Sequence, residues 1–175
     1  PLSSSVSFNE HIKYQDNFLD NNLIESISAK LHNSLSPWYM QKSLERHDGL
    51  FWYCSLKETE EDNGKGIENK LFAEEVKMLE KTVPREIIRI YVNGQSVNQH
   101  GDFHDDDGDE TILIGLNKEM APALGGATEF LLDNNVSYLI YPMYNRAIFF
   151  NAKLIHRALP SSHPFRLTLA LKTIK

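Results

Sequence analysis

Cysteine is nearly absent: Cys54 is the only one in a chain of 175 residues. An internal disulfide and a thiolate metal cluster are therefore excluded, which removes disulfide scaffolds and zinc ribbons and fits a reducing compartment. Long apolar runs are missing too, since no stretch approaches the ~18 residues of a membrane span. The opening PLSSS has neither the basic start nor the apolar core of a secretory leader, so the expectation is a cytoplasmic chain with no membrane partner. Positive charge is in deficit, with 18 Lys and Arg against 24 Asp and Glu and a formal net charge of -6. That balance opposes the electrostatic attraction nucleic acids supply, and a nucleic-acid partner is disfavoured. No low-complexity tract is present, and the 41% hydrophobic and 24% charged content is that of an ordinary globular protein. The length fits a single domain spanning 1–175.

Within that domain, residues 1–83 read as helical covering material. Asp20 can cap a helix on which Leu23, Ile24, Ile27 and Leu31 recur at 3.6-residue spacing, with Ser36-Pro37 ending it. LFWYCSL, from Leu50 to Leu56, is aromatic and apolar enough for a strand, and a polar loop follows from Glu58 to Gly66. The spacing of Ile67, Leu71, Phe72, Val76 and Leu79 predicts a second helix from Ile67 to Lys81, stopping before Pro84.

Beyond Pro84 the pattern becomes short β-type runs separated by turn residues. Strands are expected at Ile87 to Val92, Phe103 to Asp106, Thr111 to Leu116, Thr128 to Leu132, Tyr138 to Tyr141, Arg146 to Phe150, Leu154 to Leu159 and Arg166 to Leu171. Turns are expected at Asn93-Gly94, Gly125-Gly126, Asp133 to Asn135, Pro142 to Asn145 and Pro160 to Ser162. This is sandwich or barrel spacing rather than that of a doubly wound sheet. The fold class expected is mainly β with N-terminal helices (α+β), the β core occupying 84–175.

The segment HGDFHDDDGDE, residues 100–110, carries the chemistry. It fits no calcium loop, because no register of alternating Asp and Asn followed by Gly and a twelfth-position Glu can be laid on it. His104 and Asp106 lie two apart on an expected strand, so both side chains face one way and can reach one metal ion. Such a pair arises by chance roughly 0.4 times in a chain of this composition, so it carries nothing alone. His156 adds a second imidazole about fifty residues on. Two imidazoles and one carboxylate form the facial triad of non-haem Fe(II) sites, which leaves coordination positions open. Arg166, ten residues further, is a fixed cation able to bind both oxygens of a carboxylate. The complete set has a chance expectation of roughly 0.01–0.03. His100-Gly101-Asp102 is a competing register; His104 is preferred because Phe103-His104 leads into a strand. His11, His32, His47 and His163 read as surface or capping residues.

From about residue 87 to 173 the sequence resembles the iron(II)- and 2-oxoglutarate-dependent dioxygenases, in particular the prolyl 4-hydroxylase-like branch. The matching segments are IYVNGQ with Tyr91, FHDDD, TILIGLN, GGATEF as G-G-x-T-x-F, YPMYNRAIFF, His156 and Arg166. The resemblance implies a double-stranded β-helix (jelly-roll) core. It implies Fe(II) on His104, Asp106 and His156, the distal carboxylate of the cosubstrate 2-oxoglutarate on Arg166, and Tyr91 facing that cosubstrate. It further implies hydroxylation of a peptidyl residue, most simply proline, with O2 consumed and succinate and CO2 released. The alternatives are the same chemistry on a free amino acid or small metabolite, and a non-catalytic jelly-roll binding module. Gly115 departs from the family, where many members have a tyrosine that bonds the cosubstrate. Asn145 replaces a usual glycine, and asparagine also tolerates the left-handed conformation. Lys172 stands where the nucleic-acid demethylases of the superfamily place a second arginine.

Overall fold

The computed structural model describes residues 5–7, 11–33, 35–42, 50–58, 69–132 and 136–175. Two antiparallel sheets face each other as a β-sandwich. The larger is assembled from β1 (Ser5–Ser7), β2 (Ile12–Gln15), β3 (Tyr39–Lys42), β4 (Leu50–Lys57), β5 (Glu86–Ser96), β6 (Glu110–Gly115), β9 (Ala147–Asn151) and β11 (Phe165–Ile174), in the order β1-β2-β9-β6-β11-β5-β4-β3. The smaller holds β7 (Thr128–Leu132), β8 (Val136–Ile140) and β10 (His156–Ala158), in the order β10-β7-β8. Two α-helices, α1 (Asn21–Leu31) and α2 (Ala73–Thr82), are present among the described residues, and none there is long and apolar enough to cross a membrane.

Strand alternation distributes the side chains. Along β11, Leu167, Leu169 and Leu171 join the helix-facing core with Leu23, Ile24, Ile27, Phe72, Val76 and Leu79. Each such buried side chain contributes about 1.5–3 kcal/mol. The intervening Arg166, Thr168, Ala170 and Lys172 point into the sandwich, so β11 is buried on both faces. A second core of Ile12, Phe130, Ile140, Ile148 and Phe150 is built from strands of both sheets.

The expected strands appear in order except the one over Phe103 to Asp106, and four further corrections apply. Among the described residues of 1–83, the two helices and the expected strand β4 are joined by three unexpected strands, β1 to β3, all in the larger sheet. β1, β2 and β3 are three or four residues long and take their conformation from pairing, which periodicity does not register. Helix α1 stops at Leu31, before Ser36-Pro37: Ser36 Oγ donates to Lys30 O and Trp38 Nε1 to Leu31 O, so side chains satisfy the terminal carbonyls. The second helix opens as a 3₁₀ turn over Lys70–Phe72, with Asn69 Oδ1 accepting from Leu71 N. Asn93-Gly94 is not a turn but lies inside β5, where a Cβ on Gly94 would sit 2.3 Å from the Phe165 ring. Close approach, rather than a turn, requires that glycine. The 59–66 part of the polar loop, Ile67, His47 and the Asp133 to Asn135 turn lie outside the described residues.

Candidate functional site

His104, Asp106 and His156 come together at one end of the sandwich, their ligand atoms all within 4.8 Å of one another. The expected strand over Phe103 to Asp106 is absent. His104 instead forms a single antiparallel bridge with His156, with N–H···O bonds of 3.0 and 2.9 Å in both directions. Asp106 N donates to Ala152 O at 2.8 Å. Those three bonds hold the loop against the start of β10 and the residue after β9, in place of the expected strand pairing. Asp105 and Asp107 turn outward, toward Lys153 and Arg89. His100, of the competing register, is exposed and outside the cluster.

Both imidazoles are oriented alike. His104 Nδ1 donates to Asp102 O at 2.8 Å and His156 Nδ1 to Leu154 O at 2.9 Å. A carbonyl only accepts, so each ring carries a proton on Nδ1 and turns Nε2 toward the cluster. His156 Nε2 lies 3.4 Å from Asp106 Oδ2, and His104 Nε2 lies 3.8 Å from Asp106 Oδ1. The ring of His156 packs against Phe150 and Phe130, at centroid distances of 4.7 and 6.0 Å. The His104 side chain is 48% exposed against 5% for His156, so the cluster is open on the His104 side.

Electrostatics suit metal ligation. Burial pushes the His156 pKa down to about 4, against the opposing pull of Asp106, so the ring is neutral at physiological pH. Burial by itself would raise the Asp106 pKa. The Lys172 ammonium, His156 and hydrogen bonds from Lys172 and Thr111 outweigh it and hold the carboxyl at about 2. Two imidazoles and one ionised carboxylate are the nitrogen and oxygen donor set of a divalent transition metal, and they leave half of an octahedron open.

Arg166 lines the same cavity, of about 70 Å³, together with the three cluster residues and Tyr91. Arg166 is 3% exposed and its guanidinium donates to Gln95 Oε1 at 2.6 Å, while its Nε has no partner among the described residues. Burial lowers its pKa to about 10, so it stays charged at neutral pH. A buried, charged, incompletely paired guanidinium facing a cavity is a receptor for an anion. The GGATEF segment serves it: Gly125 and Gly126 have φ of 70° and 74°, and a Cβ on Gly126 would come 3.3 Å from Arg166 Cδ.

Tyr91 borders the cavity and stacks on Tyr53 at 4.9 Å, and burial raises its pKa. Thr128 and Thr168 also line the cavity. Gly115 pairs with Thr168 across β6 and β11, and a Cβ there would lie 2.4 Å from Met143 O. The main chain of Pro142 and Met143 thus fills the space where the expected tyrosine would stand. Asn145 takes the left-handed conformation, φ 55°, and its amide ties Leu19 through bonds of 2.9 and 2.8 Å. The loop that follows β5 is fastened beside the cavity, with Asn98 N bonded to Ser161 O and Gly101 N to Ala158 O. Sequence reasoning missed Phe51, Asn93, Gln95 and Lys172 as cavity residues. The available signal was the strand pattern, which sets Asn93 and Gln95 on the face of Tyr91, and Lys172 on the face of Arg166.

No family model matches this sequence, and no curated protein matches it. Solved structures do match. The chain is similar to a Pseudomonas putida prolyl-4-hydroxylase with a TM-score of 0.70 at 15% identity, covering 94% of both chains. It is similar to a Trichoplax adhaerens prolyl hydroxylase in complex with a peptide fragment of the hypoxia inducible factor oxygen degradation domain. There the TM-score is 0.63 at 16% identity, over 93% of this chain and 83% of that one. A third similar structure is a non-haem α-ketoglutarate-dependent epimerase from nogalamycin biosynthesis, with a TM-score of 0.65 at 12% identity, over 92% of this chain and 75% of that one. At these identities the likeness establishes a shared fold, the jelly roll.

Proposed function

We propose that this chain is an Fe(II)- and 2-oxoglutarate-dependent oxygenase, a single cytoplasmic domain over 1–175, that hydroxylates a peptidyl residue, first of all proline. His104, Asp106 and His156 hold the iron, and Arg166 binds the distal carboxylate of 2-oxoglutarate. The observation that carries this reading is the shared cavity: a two-histidine, one-carboxylate cluster and a buried guanidinium with an unpartnered Nε border the same space. His104, Asp106 and His156 would hold a metal with open positions, and Arg166 would bind a carboxylate of a dicarboxylate in the same cavity.

Bound iron, with 2-oxoglutarate and O2, supplies the oxidising power that hydroxylates an unactivated C–H bond, giving succinate and CO2. The chain's own residues do the positioning. Asp102 O and Leu154 O fix the two imidazoles with Nε2 inward. Phe130 and Phe150 shield His156 from water, and the fixed Arg166 cation sets the direction of the cosubstrate. Tyr91, which lines the cavity, would border the cosubstrate, and the exposed side of His104 would admit the substrate.

The peptide assignment draws on the GGATEF segment, on the arginine at 166 and on the similarity to two prolyl hydroxylases, one of them in complex with a peptide. The similarity to an epimerase from nogalamycin biosynthesis favours a second reading, the same chemistry on a small molecule. Both are tested by turnover with Fe(II), O2 and 2-oxoglutarate against a panel of proline peptides and of free amino acids. The peptide reading expects succinate release stimulated by a peptide that gains one oxygen atom. Stimulation by a free amino acid alone moves the assignment to the second reading, and no succinate with iron saturating removes the oxygenase.

A further inference from the structure

Lys172 is a buried lysine that neither core packing nor the reading above requires. It is 3% exposed, it lines the cavity, and it shares the inward face of β11 with Arg166 and Thr168. Its ammonium is paired with Asp106 Oδ2, lies 3.2 Å from Thr111 Oγ1 and stands 5.7 Å from the centre of the Tyr91 ring. Thr111 Oγ1 donates to the same Asp106 Oδ2 at 2.8 Å. One carboxylate oxygen is thus taken by two protein donors, while Oδ1 remains to face His104. An apolar side chain of similar length would bury at far lower cost, so the charge itself must do something.

The charge balance says what. Asp106 and Lys172 form a buried ion pair whose charges cancel, and Arg166 adds a positive charge to the same cavity before anything binds. The metal cluster has no net negative charge with which to attract a divalent cation. A dicarboxylate meets the Arg166 cation with the one nearby carboxylate already compensated.

We propose that Lys172 is a positioning and charge-balancing residue: it engages one oxygen of Asp106 so that the carboxylate offers the metal a single oxygen, and by cancelling the Asp106 charge it makes retention of the metal depend on the anionic cosubstrate. The inference rests on the iron and 2-oxoglutarate reading given above. Metal alone binds weakly in such a site, the dicarboxylate binds well, and each improves the other's affinity by the same factor.

The test is a pair of anaerobic titrations at pH 8, in which Co(II) is added to the protein and 2-oxoglutarate is then added to the Co(II)-loaded protein. Wild type is compared with Lys172→Met, Lys172→Gln and Lys172→Arg. Lys172→Met and Lys172→Gln are expected to bind Co(II) roughly tenfold more tightly, and the loaded variants to bind 2-oxoglutarate roughly tenfold more weakly, because a nearby positive charge is gone. Lys172→Arg restores wild-type behaviour. Opposite shifts are something a merely structural role does not produce, since a loosened site weakens both ligands. Lys172→Gln keeps a donor without the charge and decides the matter if Lys172→Met does not fold. Unchanged affinities, or both affinities weakened, in variants with wild-type circular dichroism overturn the inference and leave the metal site standing. Absence of Co(II) binding by wild type overturns the metal site itself, and the role of Lys172 with it.

Discussion

Replacing Arg166 by methionine should separate stability from cosubstrate binding. In the free protein Arg166 is 3% exposed, with Gln95 as its side-chain acceptor and Nε unpaired among the described residues. Its pKa, lowered by burial from 12.5 to about 10, corresponds to about 3 kcal/mol of strain at about 1.4 kcal/mol per unit. Methionine fills much of the same volume without the charge and relieves that strain. It also strands Gln95 Oε1, at a cost of about 1–3 kcal/mol. The net change in stability without cosubstrate is therefore about zero to a gain of about 2 kcal/mol, where truncation of an ordinary buried side chain costs ~2–5 kcal/mol. Binding moves the other way. A charged hydrogen bond is worth about 1.5–3 kcal/mol, so the 2-oxoglutarate Kd should rise roughly 10- to 150-fold while metal affinity changes little. Urea denaturation of the metal-free protein and calorimetric titration of 2-oxoglutarate into the Co(II)-loaded protein measure the two effects. A destabilised variant with unchanged 2-oxoglutarate affinity would refute the reasoning and make Arg166 a structural residue.

Three further outcomes are expected. Acid should weaken the metal-free fold in two windows. The His156 pKa is about 4 in the folded state against 6.5 normally, so the unfolded chain takes up that proton first and stability falls as pH drops from about 6.5 to 4. Asp106, held at about 2, adds stability that is complete above about 4 and lost as pH falls toward 2. Urea midpoints that stay flat between pH 7 and 5 would contradict a buried neutral imidazole. Gly115→Ala forces a methyl to within 2.4 Å of Met143 O and should cost about 1–3 kcal/mol, and an unchanged Tm would contradict that tight crossing. His104→Ala should abolish Co(II) binding while His100→Ala preserves it, and the reverse result would restore the competing register.

How far the sequence could be read depended on whether a feature was local. TEFLL falls on β7 at both ends, because alternation and flanking turn residues bound it on either side. Thr111 to Leu116 and Arg166 to Leu171 came within a few residues of β6 and β11 for the same reason. β1, β2 and β3 escaped because each is short and held only by a pairing strand, as Ile12 is by the distant Phe150. The His104, Asp106 and His156 set was readable from residue type and spacing, although the strand invoked to align the first two is replaced by a bridged loop. Lys172 was not, since a lysine near the end of a strand ordinarily reaches water. Only its alternation with Arg166 and Thr168, on a strand buried on both faces, marks it as inward.

The central claim, that one cavity binds Fe(II) and 2-oxoglutarate together, is tested most directly by anaerobic addition of 2-oxoglutarate to the Fe(II)-loaded protein, followed by visible absorption. The account predicts a charge-transfer band that saturates stoichiometrically with the chain, is lost in His104→Ala, Asp106→Ala and His156→Ala, and in Arg166→Met needs more 2-oxoglutarate to appear. No band with iron saturating, or a band that survives His156→Ala, would contradict it.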